Sequence, residues 1–166
     1  MKQKPSPATD STNTIEIHVL DSFNTVKQVF EGSGTFDNLI HDDITEQDIL
    51  DTLSVHNGLF QISKGNEFAG FFSVDDLGLV CDKRVCEVHA YILPYMRRYS
   101  KDFLKVFADF IFELSNFDNI VTSVPEYCFL VGKVIKKIGF EELFYRENQY
   151  IKGQVTYGIT HYILKK

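Results

Sequence analysis

Arg97, Arg98 and Lys101 lie close together in the stretch Tyr95-Met96-Arg97-Arg98-Tyr99-Ser100-Lys101. They follow Pro94 and precede a run in which Phe103, Leu104, Phe107, Phe110, Ile111 and Leu114 recur at helical spacing. The cations therefore fall where the unpaired amides of a helix start point outward. Amides, helix dipole and side-chain charge together favour an anion, above all a phosphate or pyrophosphate. The same residues also fit a solvated basic turn. Just upstream, Glu87, His89 and Tyr91 alternate and so share one face of a strand. His89 has the unperturbed pKa nearest neutrality. As structural polar groups, Glu87 and His89 would instead hydrogen-bond each other or neighbouring strands.

These residues need elements to place them. Residues 84–93 are rich in β-branched and aromatic types and read as a strand, which Pro94 ends because it has no N–H for a sheet ladder. A helix follows to Leu114, its phenylalanine-rich face a core stripe. Upstream, residues 14–20 alternate as a first strand, and Asp21 or Ser22 is placed to cap a helix through Phe30, broken by Gly32 and Gly34. Residues 38–43 are a loop or short helix. Thr45 with Asp48 resembles a capping arrangement for a helix to about Leu53. Residues 59–63 and 68–74 form a hairpin around Lys64-Gly65-Asn66-Glu67, and residues 75–83 read as a polar turn. Downstream, residues 119–124 are a strand. Residues 127–138 are a helix with Leu130, Val131, Val134, Ile135 and Ile138 as its buried stripe, stopped by Gly139. Residues 141–145 and 156–164 are the last strands. The expected order is β-α-α-β-β-β-α-β-α-β-β around one sheet, an α/β (α+β) class. The strand-helix-strand over residues 84–124 should be parallel and right-handed.

Length and charge bound the rest. The 166 residues, 44% hydrophobic and 14% aromatic, suit one domain with a proper core, here residues 14–166 behind a flexible tail over residues 1–13. A formal charge of -6 argues against a dedicated nucleic-acid binder. No apolar run is long enough to span a membrane, and no signal-peptide pattern opens the chain, so a cytoplasmic protein is expected. Cys81, Cys86 and Cys128 are odd in number and lack metal-ligand spacing; they read as reduced thiols, Cys128 as a buried or half-buried one. His18, His41 and His56 are scattered singly and suggest no metal site.

The element order and the residues of the second half resemble the GNAT superfamily of acyl-CoA-dependent N-acyltransferases. EVHAYILPYMRRYSKDFLKVFADFIFE (residues 87–113) resembles the family's strand, pyrophosphate loop and helix, and KVIKKIGF (residues 133–140) its helix ending in Gly-Phe. The wording EVHAYILP followed by arginine is similar to small GNAT-like proteins encoded by tailed bacteriophages. The resemblance implies a mixed, mostly antiparallel sheet with a central parallel β-α-β unit and helices on both faces. It implies acetyl-CoA as co-substrate and a primary amine as acceptor. Pyrophosphate would be held by Arg97, Arg98, Tyr99, Ser100, Lys101, Asp102 and Phe103, with pantetheine along Tyr91, Ile92 and Leu93. Amides near Ile92 and Leu93 would polarise the carbonyl, and Glu87 or His89 would act as base, directly or through water.

Three positions depart from the pattern. Asp102 replaces a small residue of the loop and adds bulk and like charge, although it favours the helix dipole. Cys128 stands for a common asparagine, and Ile135 for a tyrosine that often acts as general acid. Tyr91, Tyr95 and Tyr127 are further acids or packing aromatics; His161 and Tyr162 line an acceptor site or simply follow strand alternation. The departures support a rival reading, a GNAT fold kept without catalysis as a virion component or a binder of a phage or host protein. A homodimer is common in the family, and nothing in the sequence fixes an interface.

Overall fold

The computed structural model describes residues 14–166; the tail expected over residues 1–13 lies outside the described residues. The elements are β1 (Ile15–Val19), α1 (Lys27–Phe30), α2 (Glu46–Ser54), β2 (Leu59–Lys64), β3 (Glu67–Val80), β4 (Lys83–Ile92), α3 (Ser100–Leu114), β5 (Asn119–Pro125), α4 (Phe129–Lys137), β6 (Glu141–Lys152) and β7 (Val155–Lys165). This is the order expected from periodicity. The strands form one sheet ordered β1-β2-β3-β4-β5-β7-β6, antiparallel at every seam except the parallel pair β4–β5. No helix among the described residues is long and apolar enough to cross a membrane.

Each face of the sheet carries its own core. On one, Phe103, Phe107 and Ile111 of α3 and Ile135 of α4 pack over Phe72, Cys86, Val88 and Ile120. Phe72 and Phe107 stack face to face at 4.0 Å, and each buried phenylalanine of this kind contributes about 1.5–3 kcal/mol through burial. On the other face, Phe23, Phe30, Phe36, Leu50 and Leu53 cover Leu59, Phe71 and Leu93. The alternation of β4 makes the division: Cys86, Val88 and Ile92 point to α3, while Glu87, His89 and Tyr91 point to the α1–α2 side.

Several local expectations need correction. Residues 75–83 are not a polar turn. β3 runs on to Val80, with a bulge between Asp76 and Gly78, and the turn is Cys81-Asp82, both at positive φ. Gly78 at φ +75° makes the bulge possible, and its polar neighbours imitate a turn. β6 likewise extends to Lys152, with two register shifts. The helix from Asp21 or Ser22 is two short pieces, a 3₁₀ turn Phe23–Thr25 capped by Ser22, then α1. In α4 the expected stripe holds at Ile135, which is buried, and at Val134 and Ile138, which are half-buried, and fails in the first turn. Leu130 and Val131 are exposed, at 64% and 42%, and the buried side is Gly132 and Ile135. Leu114 also faces out, at 74% exposure.

Candidate active site

β4 and β5 pair only over Val85↔Asn119, Cys86↔Ile120 and Glu87↔Val121, after which they part. β4 continues to Ile92 held on its other edge by β3, and β5 continues to Pro125 held by β7. A wedge-shaped split therefore opens inside the sheet, flanked by main-chain groups with no strand partner. Successive amides of a strand point to opposite edges. The Leu93 amide donates to Ala69 O at 2.9 Å and is turned away; the Ile92 amide faces the split.

A polar band crosses the α1–α2 face at the mouth of this split. Strand register aligns Ser73 with His89, Asp75 with Glu87, and Ser123 with His161. Ser123 Oγ lies 3.1 Å from Glu87 Oε1 and 2.9 Å from His161 Nδ1. A hydroxyl has one proton to give. Donated to the Glu87 carboxylate, it requires His161 Nδ1–H to donate to Ser123, which leaves Nε2 with a lone pair. That Nε2 is buried without a partner. Burial, and then the nearby Arg146 charge, push the His161 pKa down, with Glu87 opposing, so the ring is neutral. Phe144 stacks on it at 4.3 Å. His89 Nε2 is 3.7 Å from Glu87 Oε1, beyond hydrogen-bond reach, and both side chains are partly open, at 37% and 29%.

Tyr91 is a wall. It stacks on Phe71 at 4.6 Å and meets Phe36 edge-on at 5.8 Å. Burial raises its pKa, with a hydrogen bond from Ser73 partly opposing. Tyr127, just past β5, holds a buried hydroxyl with no partner. Its pKa is pushed up to about 12, by burial first.

The basic turn has an unexpected geometry. Pro94–Tyr99 is a 3₁₀ helix that runs directly into α3. Such a helix bonds each amide to the carbonyl three residues back. Here the ladder begins with Met96 N–H to Leu93 O and ends with Ser100 N–H to Arg97 O. The Ser100 amide is thus already committed. The Arg98 guanidinium lies 4.8 Å over the Tyr99 ring, and Lys64 approaches the same ring at 5.0 Å. Lys101 and Asp102 are exposed, and Phe103 is core.

Arg97 points elsewhere. Its Nη2 donates to Gly34 O at 2.9 Å and Thr35 O at 3.1 Å. Lys152 Nζ donates to Asp37 O at 2.9 Å, and Cys128 Sγ to Asn38 O at 3.5 Å. Asp42 N–H donates to Ile151 O, and Gly153 N–H to Asp42 Oδ1. The connection between α1 and α2 is therefore tied to the basic turn after β4, to the turn after β5 and to the β6–β7 hairpin.

Next to His89 lies a cavity of about 310 Å³. Leu39, Ile44, Ile49 and Leu53 line it with apolar groups, and Asp48, His56, Ser73, Asp75, His89 and Tyr91 with polar ones. Sequence reasoning singled out Glu87, His89 and Tyr91 here and passed over Ser123 and Asp75. Asp75 fell in the stretch misread as a turn. Ser123 carried no signal beyond its strand position, although its alternation with Val121 places it on the Glu87 face.

The model of a family described as "Protein of unknown function (DUF2824)" matches residues 38–166. No curated protein matches the sequence. Among solved structures, the chain is similar to spermidine N-acetyltransferase from Vibrio cholerae in complex with CoA and spermine. The TM-score is 0.71 at 10% identity, covering 91% of this chain and 95% of that one. It is similar to the acetyltransferase (GNAT family) from Bacillus anthracis, with TM-score 0.68, 13% identity and coverage of 91% and 94%. It is also similar to an N-acetyltransferase from Staphylococcus aureus Mu50, with TM-score 0.64, 14% identity and coverage of 92% and 97%. These likenesses show that the chain has the GNAT fold.

Proposed function

The chain belongs to the DUF2824 family and has the GNAT fold, and on that premise we propose that it moves an acetyl group from acetyl-CoA to a primary amine. The observation that carries this reading is the split between β4 and β5, with the Glu87 carboxylate pinned at its mouth by Ser123.

The steps follow from the groups around the split. An amine nitrogen attacks the thioester carbonyl carbon, forming the C–N bond, while the C–S bond breaks and its electron pair leaves on sulfur. The Ile92 amide supports the negative charge on the carbonyl oxygen. Glu87 accepts the amine proton, directly or through water, and His89 stands beside it as the alternative base. Tyr127 keeps its proton, because its pKa is near 12. It therefore steadies the departing thiolate as a hydrogen-bond donor, and the thiol proton comes from solvent. Arg98 and Lys101 supply positive charge near the phosphates, whereas the Arg97 side chain is occupied by Gly34 and Thr35.

Calorimetric titration with acetyl-CoA, and separately with CoA, tests the reading. Binding tighter than about 1 μM to 10 μM, roughly -7 to -8 kcal/mol, followed by amine-dependent thiol release that Glu87→Gln suppresses, is the expected result. No heat and no thermal shift at millimolar acetyl-CoA would sink it.

A second reading, a GNAT fold serving as an interaction protein of a phage or host assembly, has its own support. The 3₁₀ turn commits the Ser100 amide, Asp102 places an exposed carboxylate there, and an apolar group on α4 and β6 is open to solvent. Phe129 is 60% exposed, Leu130 64% and Leu143 50%. This reading takes over if acetyl-CoA does not bind.

A further inference from the structure

The cavity beside His89 carries a charge pattern that selects a class of acceptor. Asp48 is ionised: the Thr45 amide and hydroxyl both donate to its Oδ2, at 2.8 and 2.5 Å. Asp75 faces His56, whose Nε2 is 3.0 Å from Asp75 Oδ1. That contact does not cancel the carboxylate. The Gly58 amide donates to His56 Nδ1 at 3.0 Å, so Nδ1 holds a lone pair, the single ring proton sits on Nε2, and the imidazole is neutral. No lysine or arginine is among the described residues that line the cavity. Asp75 also stands directly across from Glu87 in the β3–β4 register, an arrangement of like charges that destabilises a sheet unless a cation lies between or above them.

We infer that this cavity receives the acceptor, and that the acceptor is an amine carrying a second positive charge at the far end of a short aliphatic chain. One nitrogen sits at His89, the lining residue whose Nε2 lies 3.7 Å from Glu87 Oε1 at the mouth of the split. The methylenes lie along Leu39, Ile44, Ile49 and Leu53. The second ammonium meets Asp75 and Asp48. The volume of about 310 Å³ is at the small end of ligand sites, about 300–1,000 Å³, and the apolar lining by Leu39, Ile44, Ile49 and Leu53 suits an aliphatic chain. An acceptor bearing a carboxylate is rejected by the same two aspartates. The inference deepens the proposed transfer and rests on it only for which nitrogen reacts.

The test compares 1,4-diaminobutane with n-butylamine by calorimetry on the full chain, each with and without acetyl-CoA. The diamine should bind about tenfold more tightly, the worth of one charge-assisted hydrogen bond, and the advantage should shrink with added sodium chloride. Asp75→Asn keeps a hydrogen-bond acceptor for His56 and removes the charge; it should erase the preference while leaving acetyl-CoA binding unchanged and the melting temperature no lower. Equal affinity for the two amines in a protein that binds acetyl-CoA overturns this inference and leaves the transfer reading standing. A diamine preference lost in Asp75→Asn, in a protein that ignores acetyl-CoA, upholds the cation site and overturns the transfer reading. A preference that survives Asp75→Asn or is indifferent to salt overturns the assignment to this cavity.

Discussion

Ser123 Oγ and Glu87 Oε1 meet at 3.1 Å although their strands stop pairing at Glu87↔Val121. The hydrogen bond spans the apex of the split and holds the carboxylate at its opening. Glu87→Gln should lower the rate of acetyl transfer by about 10²–10⁴-fold, the range for a lost general base. Ser123→Ala leaves the carboxylate in place with one bond fewer, so its loss should be smaller and should include a change in the pH profile. Thiol-release kinetics across pH would decide; an effect of Ser123→Ala as large as that of Glu87→Gln would contradict a positioning role.

Gly70 of β3 lies opposite Ile92 of β4. At φ +149°, a Cβ there would lie 2.2 Å from the Tyr91 carbonyl oxygen. Gly70→Ala must move main chain on a strand that borders the split. The expected cost is about 2–4 kcal/mol, read as a fall in Tm of roughly 5–15 °C. Equal Tm values would show that the sheet yields there without strain.

Thr45 and Asp48 form a reciprocal cap at the start of α2. Thr45→Ala should cost about 1 kcal/mol at neutral pH. The Asp48 pKa lies below its ordinary 3.8 because of the Thr45 side-chain and then main-chain hydrogen bonds. A depressed carboxylate stabilises the fold fully above its unfolded pKa and loses that contribution as pH falls through the folded value. The gap in stability between wild type and Thr45→Ala should therefore be constant above about pH 5 and narrow as the pH drops below 3.8, leaving the part due to the Asp48 N–H to Thr45 Oγ1 bond. Chemical denaturation at several pH values measures it.

The three thiols should react at different rates. Cys81 is exposed, whereas Cys86 and Cys128 are buried. Burial pushes Cys86 up to about 12 and raises Cys128, and the thiolate is the reactive form. A chromogenic disulfide reagent at pH 8 should titrate one thiol quickly in the native protein and all of them after denaturation. Fast labelling of a second thiol would show that the segment around Cys128 opens.

Much of this architecture could be read from periodicity, because helices and strands that bury one face announce their period. The order of elements, the β2–β3 hairpin and the Thr45–Asp48 cap follow from spacing alone. Glu87 and His89 emerged because alternation fixes a strand's faces. Other features depend on partners that no local window contains. The second half of β3 hides behind Asp75, Asp76 and Gly78, which suit a turn and are held extended by pairing with β4. The first turn of α4 buries Gly132, close to the Tyr162 hydroxyl, and exposes Leu130 and Val131, which no local window signals. Ser123 and the cavity aspartates gain meaning only when four strands and α2 come together.

The ties across the split share one property. Arg97, Lys152 and Cys128 all donate to main-chain carbonyls, those of Gly34, Thr35, Asp37 and Asn38. A carbonyl is present whatever side chain the residue carries. Over residues 34–38 the rim is thus fastened by its backbone and left open to exchange of side chains, with Asp42 the place where a side chain ties it, so substitutions at 34–38 can alter what the protein admits without loosening the frame that holds Glu87.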